Sequence, residues 1–262
     1  MRLFDAHCHF DFPEFDGRRN EVLADLNALG VRGLVMPGVR RADWGRLVSL
    51  SKPEAGLWYC LGIHPWFVGE HDEGDLSALE AALERKERGC LGVGECGLDA
   101  LRGSVDEQKP WFAAQVQMAS RFDLPLVIHS VKAHDQVAAL LRAERWQGRA
   151  LIHGFSGSYQ QACHFIELGC YIGVGGVITH ERAKKTRDVV SRLPADVLVL
   201  ETDAPDMSPA GVPKGQNSPV YIPAIFGQLA ELRGEDKAWL AGVLMENAGK
   251  LYGLAPTVLA PD

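Results

Sequence analysis

Short, nearly unbroken apolar runs recur along the chain, each bounded by glycine, proline or a polar turn. They fall at 2–7, 32–38, 57–63, 90–95, 125–129, 149–153, 170–175 and 197–202. Their length and composition predict strands buried on both faces. The segments between them follow a different period. Over 17–29, 75–88, 107–122, 132–145, 158–168 and 181–192 residues of one face return every three or four positions, as Trp111, Ala114, Gln115 and Met118 do with Phe122. That is helical spacing. Eight strands alternating with helices describe repeated parallel βα units. Eight such units predict an α/β TIM-type (β/α)8 barrel, with residues 1–262 as a single domain. An open doubly wound sheet is the rival, but it calls for G-x-G-x-x-G after its first strand, where this chain has "DAHCHF". "GVGG" at 173–176 fits a tight exit from the seventh strand. Residues 220–253 should form the closing helices, and the tail "LAPTVLAPD" a loose end.

Composition narrows the class. With 262 residues, 47% of them hydrophobic, the chain can bury a sizeable core. No apolar run reaches the roughly 18 residues of a membrane span. The opening "MRLFDAHCHF" lacks the basic and apolar regions of a signal peptide, so a cytoplasmic protein with no membrane association is expected. The cysteines at 8, 60, 90, 96, 163 and 170 form no C-x-x-C pair and fit buried thiols. A formal charge of −7 argues against broad adhesion to duplex nucleic acid or anionic lipid.

The candidate chemistry gathers at strand ends. His7 and His9 end the first strand, His64 the third, Glu95 the fourth, His129 the fifth, His153 the sixth, and Glu201 with Asp203 the eighth. In a parallel barrel these ends share one face, where such folds build their sites. A buried gathering of unpaired imidazoles and carboxylates is costly unless it holds a metal or another partner. The donors are nitrogen and oxygen, and alternation turns Cys8 away, so zinc, manganese or magnesium is expected. Six ligands suit two divalent ions roughly 3.5–4 Å apart.

In order along the chain, "DAHCHF", "GIHP", "GECGLD", "DLPLVIHS", "HGFSGS", "IGVGG" and "ETDAP" resemble the motifs of the TatD family of metal-dependent hydrolases, within the amidohydrolase superfamily. The stretch "ETDAPDMSPAGVPKGQNSPVYIPAI" is most similar to the YjjV-like branch. The resemblance implies a TIM-type barrel and phosphodiester hydrolysis, generally as a deoxyribonuclease. It implies His7, His9 and Asp203 on one metal, His129 and His153 on the other, and Glu95 bridging. His64 would line the substrate pocket. Two departures stand out: the family continues "HS" with Arg, where Val131 and Lys132 follow here, and "ALRGSVDEQ" after "GLD" lacks an aromatic residue common there.

The resulting expectation is a cytoplasmic binuclear hydrolase, most simply a 3'-5' exonuclease acting on single-stranded DNA or RNA ends with no obligate protein partner. Asp203 and Glu95 are its catalytic residues, and His64 and Lys132 contact substrate. Asp203 would orient a water and take its proton. The alternative is hydrolysis of a small ester, lactone, amide or phosphate, since such a site suits any carbonyl or phosphoryl electrophile. A metal-binding scaffold without turnover is disfavoured, because a scaffold needs no general base. Glu201 and Asp5 are expected to support the ligands rather than join them. Lys184, Lys185 and Arg187 form a basic patch beside the rim, and Trp66 is the aromatic suited to stack on a base. His71, His134, His164 and His180 receive no metal role.

Overall fold

The computed structural model describes residues 1–256; the remainder of the expected loose end, 257–262, lies outside the described residues. Eight parallel strands form one sheet in sequence order: β1 Leu3–Asp5, β2 Val31–Pro37, β3 Leu57–Leu61, β4 Cys90–Asp99, β5 Leu126–Val131, β6 Ala150–Ile152, β7 Cys170–Val174 and β8 Leu198–Leu200. The last strand returns to the first: the Ala6 N–H donates to the Leu200 carbonyl at 2.8 Å, and the Asp203 N–H to the His7 carbonyl at 2.9 Å. This is the expected (β/α)8 barrel.

Side-chain alternation divides the apolar residues between two layers. Phe4, Val35, Trp58, Cys60, Val127, Leu151 and Val199 pack inside the barrel, whereas Leu34, Tyr59, Leu126, Ile128, Ile152 and Leu198 face the helices. Helix α9 (Lys237–Tyr252) plugs the bottom with Ala248, Leu251 and Tyr252, whose hydroxyl donates to the Ala6 carbonyl at 2.6 Å. The strands crowd closely near the site. A Cβ on Gly62 would meet the Gly94 backbone at 2.6 Å, so only glycine fits where β3 leaves the sheet beside β4.

Three sequence expectations shift. Trp44–Leu50 forms a short helix that the periodic segments did not include. β4 runs four residues past Glu95, so Glu95 lies within a strand rather than at its end. The helix Val105–Phe122 buries Gln108, Phe112, Gln115, Val116 and Ala119, a face that keeps Gln115 of the expected stripe but is rotated from Trp111, Ala114, Met118 and Phe122. Two buried glutamines account for that rotation. Gln115 brackets Ile63, accepting from its N–H at 2.8 Å and donating to its carbonyl at 3.0 Å. Gln108 does the same for Asp99 at 2.8 and 3.1 Å, and donates to the Arg102 carbonyl at 2.6 Å. Amides on an otherwise apolar face are read as polar breaks by periodicity, yet here each satisfies a strand exit that would otherwise be unpaired.

Candidate metal centre

The inward-pointing rows of the barrel continue upward into the site. His64, His129, His153 and Glu201 keep the parity of Cys60, Val127, Leu151 and Val199, so alternation alone turns them inward. His7 and His9 lie beyond the end of β1 and are set by the chain closure instead. Buried Asp5 accepts from the His7 N–H at 3.3 Å, the Thr202 N–H at 3.0 Å and the Thr202 hydroxyl at 2.6 Å. The His9 N–H donates to the Ala204 carbonyl at 2.9 Å. Asp5 therefore ties together the backbones carrying His7 and Asp203, the supporting role expected of it. Asp203 itself takes a left-handed backbone, φ 55°, a conformation costing about 1 kcal/mol for a residue with a Cβ. The flanking hydrogen bonds hold it there.

Glu95 is the centre of the arrangement. Its Oε2 lies 3.4 Å from Nε2 of His7 and 3.4 Å from Nε2 of His9, and both imidazoles also approach Asp203 Oδ1, at 3.2 and 3.5 Å. Its Oε1 faces the opposite group: His153 Nε2 at 2.7 Å, His129 Nδ1 at 3.0 Å and His64 Nε2 at 3.2 Å. All these side chains are buried. One carboxylate thus separates five imidazoles into two sets, one oxygen to each.

His129 and His64 differ in which nitrogen is free. The far nitrogen of His129, Nε2, is 3.0 Å from Asp99 Oδ2, which also accepts from the Trp66 indole N–H at 2.6 Å. A carboxylate there assigns the proton to Nε2 and leaves the Nδ1 lone pair facing the centre, the usual outer support of a ligating histidine. His64 has the reverse arrangement: its Nδ1 accepts from the backbone N–H of Trp66 at 3.1 Å. Its Nε2 therefore carries the proton and donates to Glu95. Burial pushes His64 down to about 4, so it is a neutral donor lining the site.

The electrostatics pair charges inside the cluster. Against burial, Asp203 and Glu95 draw His9, and Asp99 and Glu95 draw His129, above the ordinary imidazole value. Glu95 likewise draws His153 up to about 9 against burial. A bound cation would displace these protons. Burial works to raise Glu95, but His153, His64 and His7 around it hold it well below the usual carboxylate range. Asp203 is likewise held down against burial by His7 and His9. His7 is pushed down to about 4 by burial and by His153, which keeps it neutral, with one ring nitrogen offering a lone pair. Both ring nitrogens of His7, Nδ1 of His9 and of His153, and Glu95 Oε2 are buried without a hydrogen-bond partner. Such orphaned groups are expensive. Of these, His7 Nε2 and Glu95 Oε2 face the centre, and divalent ions liganded by N and O would satisfy those two. His7, His9 and Glu95, and separately His7, His153 and Asp203, place ligand atoms within 4.8 Å of one another.

Glu201 stands apart from these sets. It accepts from the Gly154 N–H at 2.6 Å, and burial pushes it up to about 8. A Cβ on Gly173 would lie 2.6 Å from its carboxyl carbon, so the glycines of "IGVGG" make room for this side chain. Glu201→Ala should lower metal affinity or activity by about 10- to 100-fold, as loss of an outer support does, while metal analysis still finds the parent's number of ions. A drop in that number would make Glu201 a ligand.

Asp99 is the functional residue that periodicity missed. It stands four residues after Glu95 on β4 and so shares its strand face, a signal that the early end assigned to that strand concealed. Lys132 is exposed and lines a depression of about 550 Å³ with Ser156, Gln161 and Lys185, a wall that includes none of the clustered residues. Of the basic patch, Arg187 is committed to the Ile178 carbonyl at 2.6 Å, while Lys184 and Lys185 are exposed. His71 and His180 bond backbone groups outside the cluster, and His134 bonds the Ser130 hydroxyl at 2.6 Å. Trp66 remains 42% exposed, but the Arg102 guanidinium sits over its ring at 3.9 Å.

A closed parallel barrel carrying this His/Glu/Asp cluster at its mouth is the architecture of metal-dependent hydrolases. The chain belongs to the TatD family: the family described as TatD related DNase matches residues 4–253. It is 39% identical over 255 residues to the metal-dependent hydrolase YjjV of Escherichia coli K12, covering 97% of this chain and 98% of that protein. It is 32% identical over 260 residues to the 3'-5' ssDNA/RNA exonuclease TatD of Salmonella typhimurium, covering 95% and 98%. The crystal structure of the Escherichia coli YjjV protein superposes with a TM-score of 0.92 over 97% of this chain and 99% of that one. Among the described residues no helix is long and apolar enough to cross a membrane.

Proposed function

We propose that this hydrolase is a nuclease that removes nucleotides from the 3' ends of single-stranded DNA or RNA. The division of five imidazoles between the two oxygens of Glu95 carries the reading, because a shared carboxylate between two ligand sets suits paired divalent ions. His7, His9 and Asp203 would hold one ion, His129 and His153 the other, with Glu95 common to both. Such ions supply Lewis-acid polarisation of a phosphoryl oxygen and a more acidic water. The rest falls to the chain. Asp203 turns Oδ1 toward His7 and His9, leaving Oδ2 to accept the proton of the attacking water. Asp99 holds His129 in the productive tautomer. The His64 N–H steadies Glu95 and closes the wall beside Trp66.

Two observations support nucleic-acid ends over the sides of a duplex. The chain carries −7 formal charge, and the site lies at the mouth of the barrel, on the face where the strands end. The relatives named as 3'-5' ssDNA/RNA exonucleases support the polarity and the substrate. The test is kcat/KM for single- and double-stranded substrates of increasing length across a salt series. Preference for frayed or single-stranded ends, with a salt slope shallower than the roughly −0.9 per contact accumulated by a duplex-tracking protein, is expected. Preference for internal duplex sites would overturn it, and cleavage confined to small esters, lactones or amides would favour that alternative.

A further inference from the structure

Arg102 lies in the loop leaving β4, the segment whose composition departs from the family pattern. Its guanidinium carbon sits 3.9 Å from the centre of the Trp66 ring. Trp66 in turn packs edge-on to both His64 and His129, with ring centres 5.0 and 5.9 Å away. One side chain therefore separates this cation from the metal-centre histidines. Both partners are held in place. The Trp66 indole N–H is bonded to Asp99, and the Arg102 carbonyl accepts from buried Gln108 at 2.6 Å. Among the described residues Arg102 has no carboxylate partner within 4.0 Å. A guanidinium on an aromatic face keeps its N–H fork free, and that fork matches two phosphate oxygens.

Resting on the nuclease reading above, we propose that Arg102, seated on Trp66, binds the phosphate adjacent to the scissile one. It thereby supplies the guanidinium grip that the sequence lacks after Ser130. Lys132 lines a different depression. A single phosphodiester at the metal centre would not reach Arg102, whereas a substrate with two or more phosphates would. The residue therefore sets a preference for oligonucleotides over one-phosphate esters.

The test compares the parent with Arg102→Gln and Arg102→Lys, metal-loaded, on oligothymidylates with one, two and several phosphates. Arg102→Gln should raise KM about 10-fold or more for substrates with two or more phosphates, in the range of a lost charged hydrogen bond. Its kcat, and its kcat/KM on the one-phosphate diester bis-p-nitrophenyl phosphate, should stay as in the parent. Arg102→Lys should recover part of the loss. Independently, anisotropy of a dye-labelled oligothymidylate bound to Asp203→Asn protein should show Arg102→Gln weakening binding and reducing the log–log salt slope by about 0.7, one single-strand contact. Equal affinity and slope with and without Arg102 overturns the proposal. Arg102-dependent binding without hydrolysis by the parent would overturn the nuclease reading and leave the contact standing. Hydrolysis with an Arg102-independent KM would do the opposite, and no binding by either protein overturns both.

Discussion

Asp203→Asn should lower kcat by about 10³-fold or more, the size of effect expected when a general base is lost, with a metal ligand weakened beside it. The variant should fold normally. Asn tolerates the left-handed backbone that Asp203 adopts at φ 55°, as most other residues do not. The bond from the residue-203 N–H to the His7 carbonyl is made by backbone and persists. Circular dichroism and thermal midpoint close to the parent, together with lost turnover, are the expected result. His71→Ala is the control. Its imidazole sits between the Phe67 carbonyl and the Arg41 N–H, at 2.7 and 3.2 Å, away from Glu95, so turnover should be unchanged. Equal losses in the two variants would displace the site from the barrel mouth.

Removal of divalent ions should abolish activity and leave the barrel folded but less stable. At ion concentrations about 100-fold above Kd, binding stabilises by about 2.7 kcal/mol, a shift of about 5–10 °C in a domain of this size. The melting point should therefore fall on chelation and return on reloading with zinc, manganese or magnesium, with activity returning in parallel. The chemical reason lies in the cluster: without cations, Glu95 and Asp203 lose their strongest partners, and His7 Nε2 and Glu95 Oε2, which face the centre, stay unsatisfied. Elemental analysis should find two ions per chain, and one after His153→Ala, since His7, His9 and Asp203 remain on the other side of Glu95. Full activity in thoroughly metal-free protein would falsify the hydrolytic mechanism proposed here.

Most of the donors were legible because a βα barrel converts a simple period into a location. His64, His129, His153 and Glu201 continue inward-facing strand rows, so their direction follows from counting by two once the strands are placed. Their convergence follows from parallel strands sharing one end. Glu95 was legible by residue type but misplaced within its strand, since the glycine-rich run at 92–97 carries little apolar signal beyond it. That same error hid Asp99. Gln108 was illegible for another reason, and Gln115 was placed on the helical stripe without its backbone partner. A buried amide is indistinguishable by periodicity from an exposed one until the backbone group it satisfies comes into view.

The order of apolar runs and polar punctuation by itself determined the barrel, the rim on which the chemistry gathers and the nitrogen–oxygen character of the metal ligands. Those properties depend on local alternation and on chain connectivity, both written in neighbouring residues. Only the tertiary structure decided which Glu95 oxygen meets which imidazole. It also decided that His64 donates a proton where His129 offers a lone pair, that Lys132 lines a depression with Ser156, Gln161 and Lys185, and that Arg102 rests on Trp66. The histidine assignments rest on bonds between segments distant in sequence, Asp5 with Thr202 and Trp66 with Asp99, and the seat of Arg102 on the ring contact with Trp66. A side chain's direction beyond the strand end is set by whichever long-range partner satisfies its polar atoms, and no periodicity in the sequence encodes that partner.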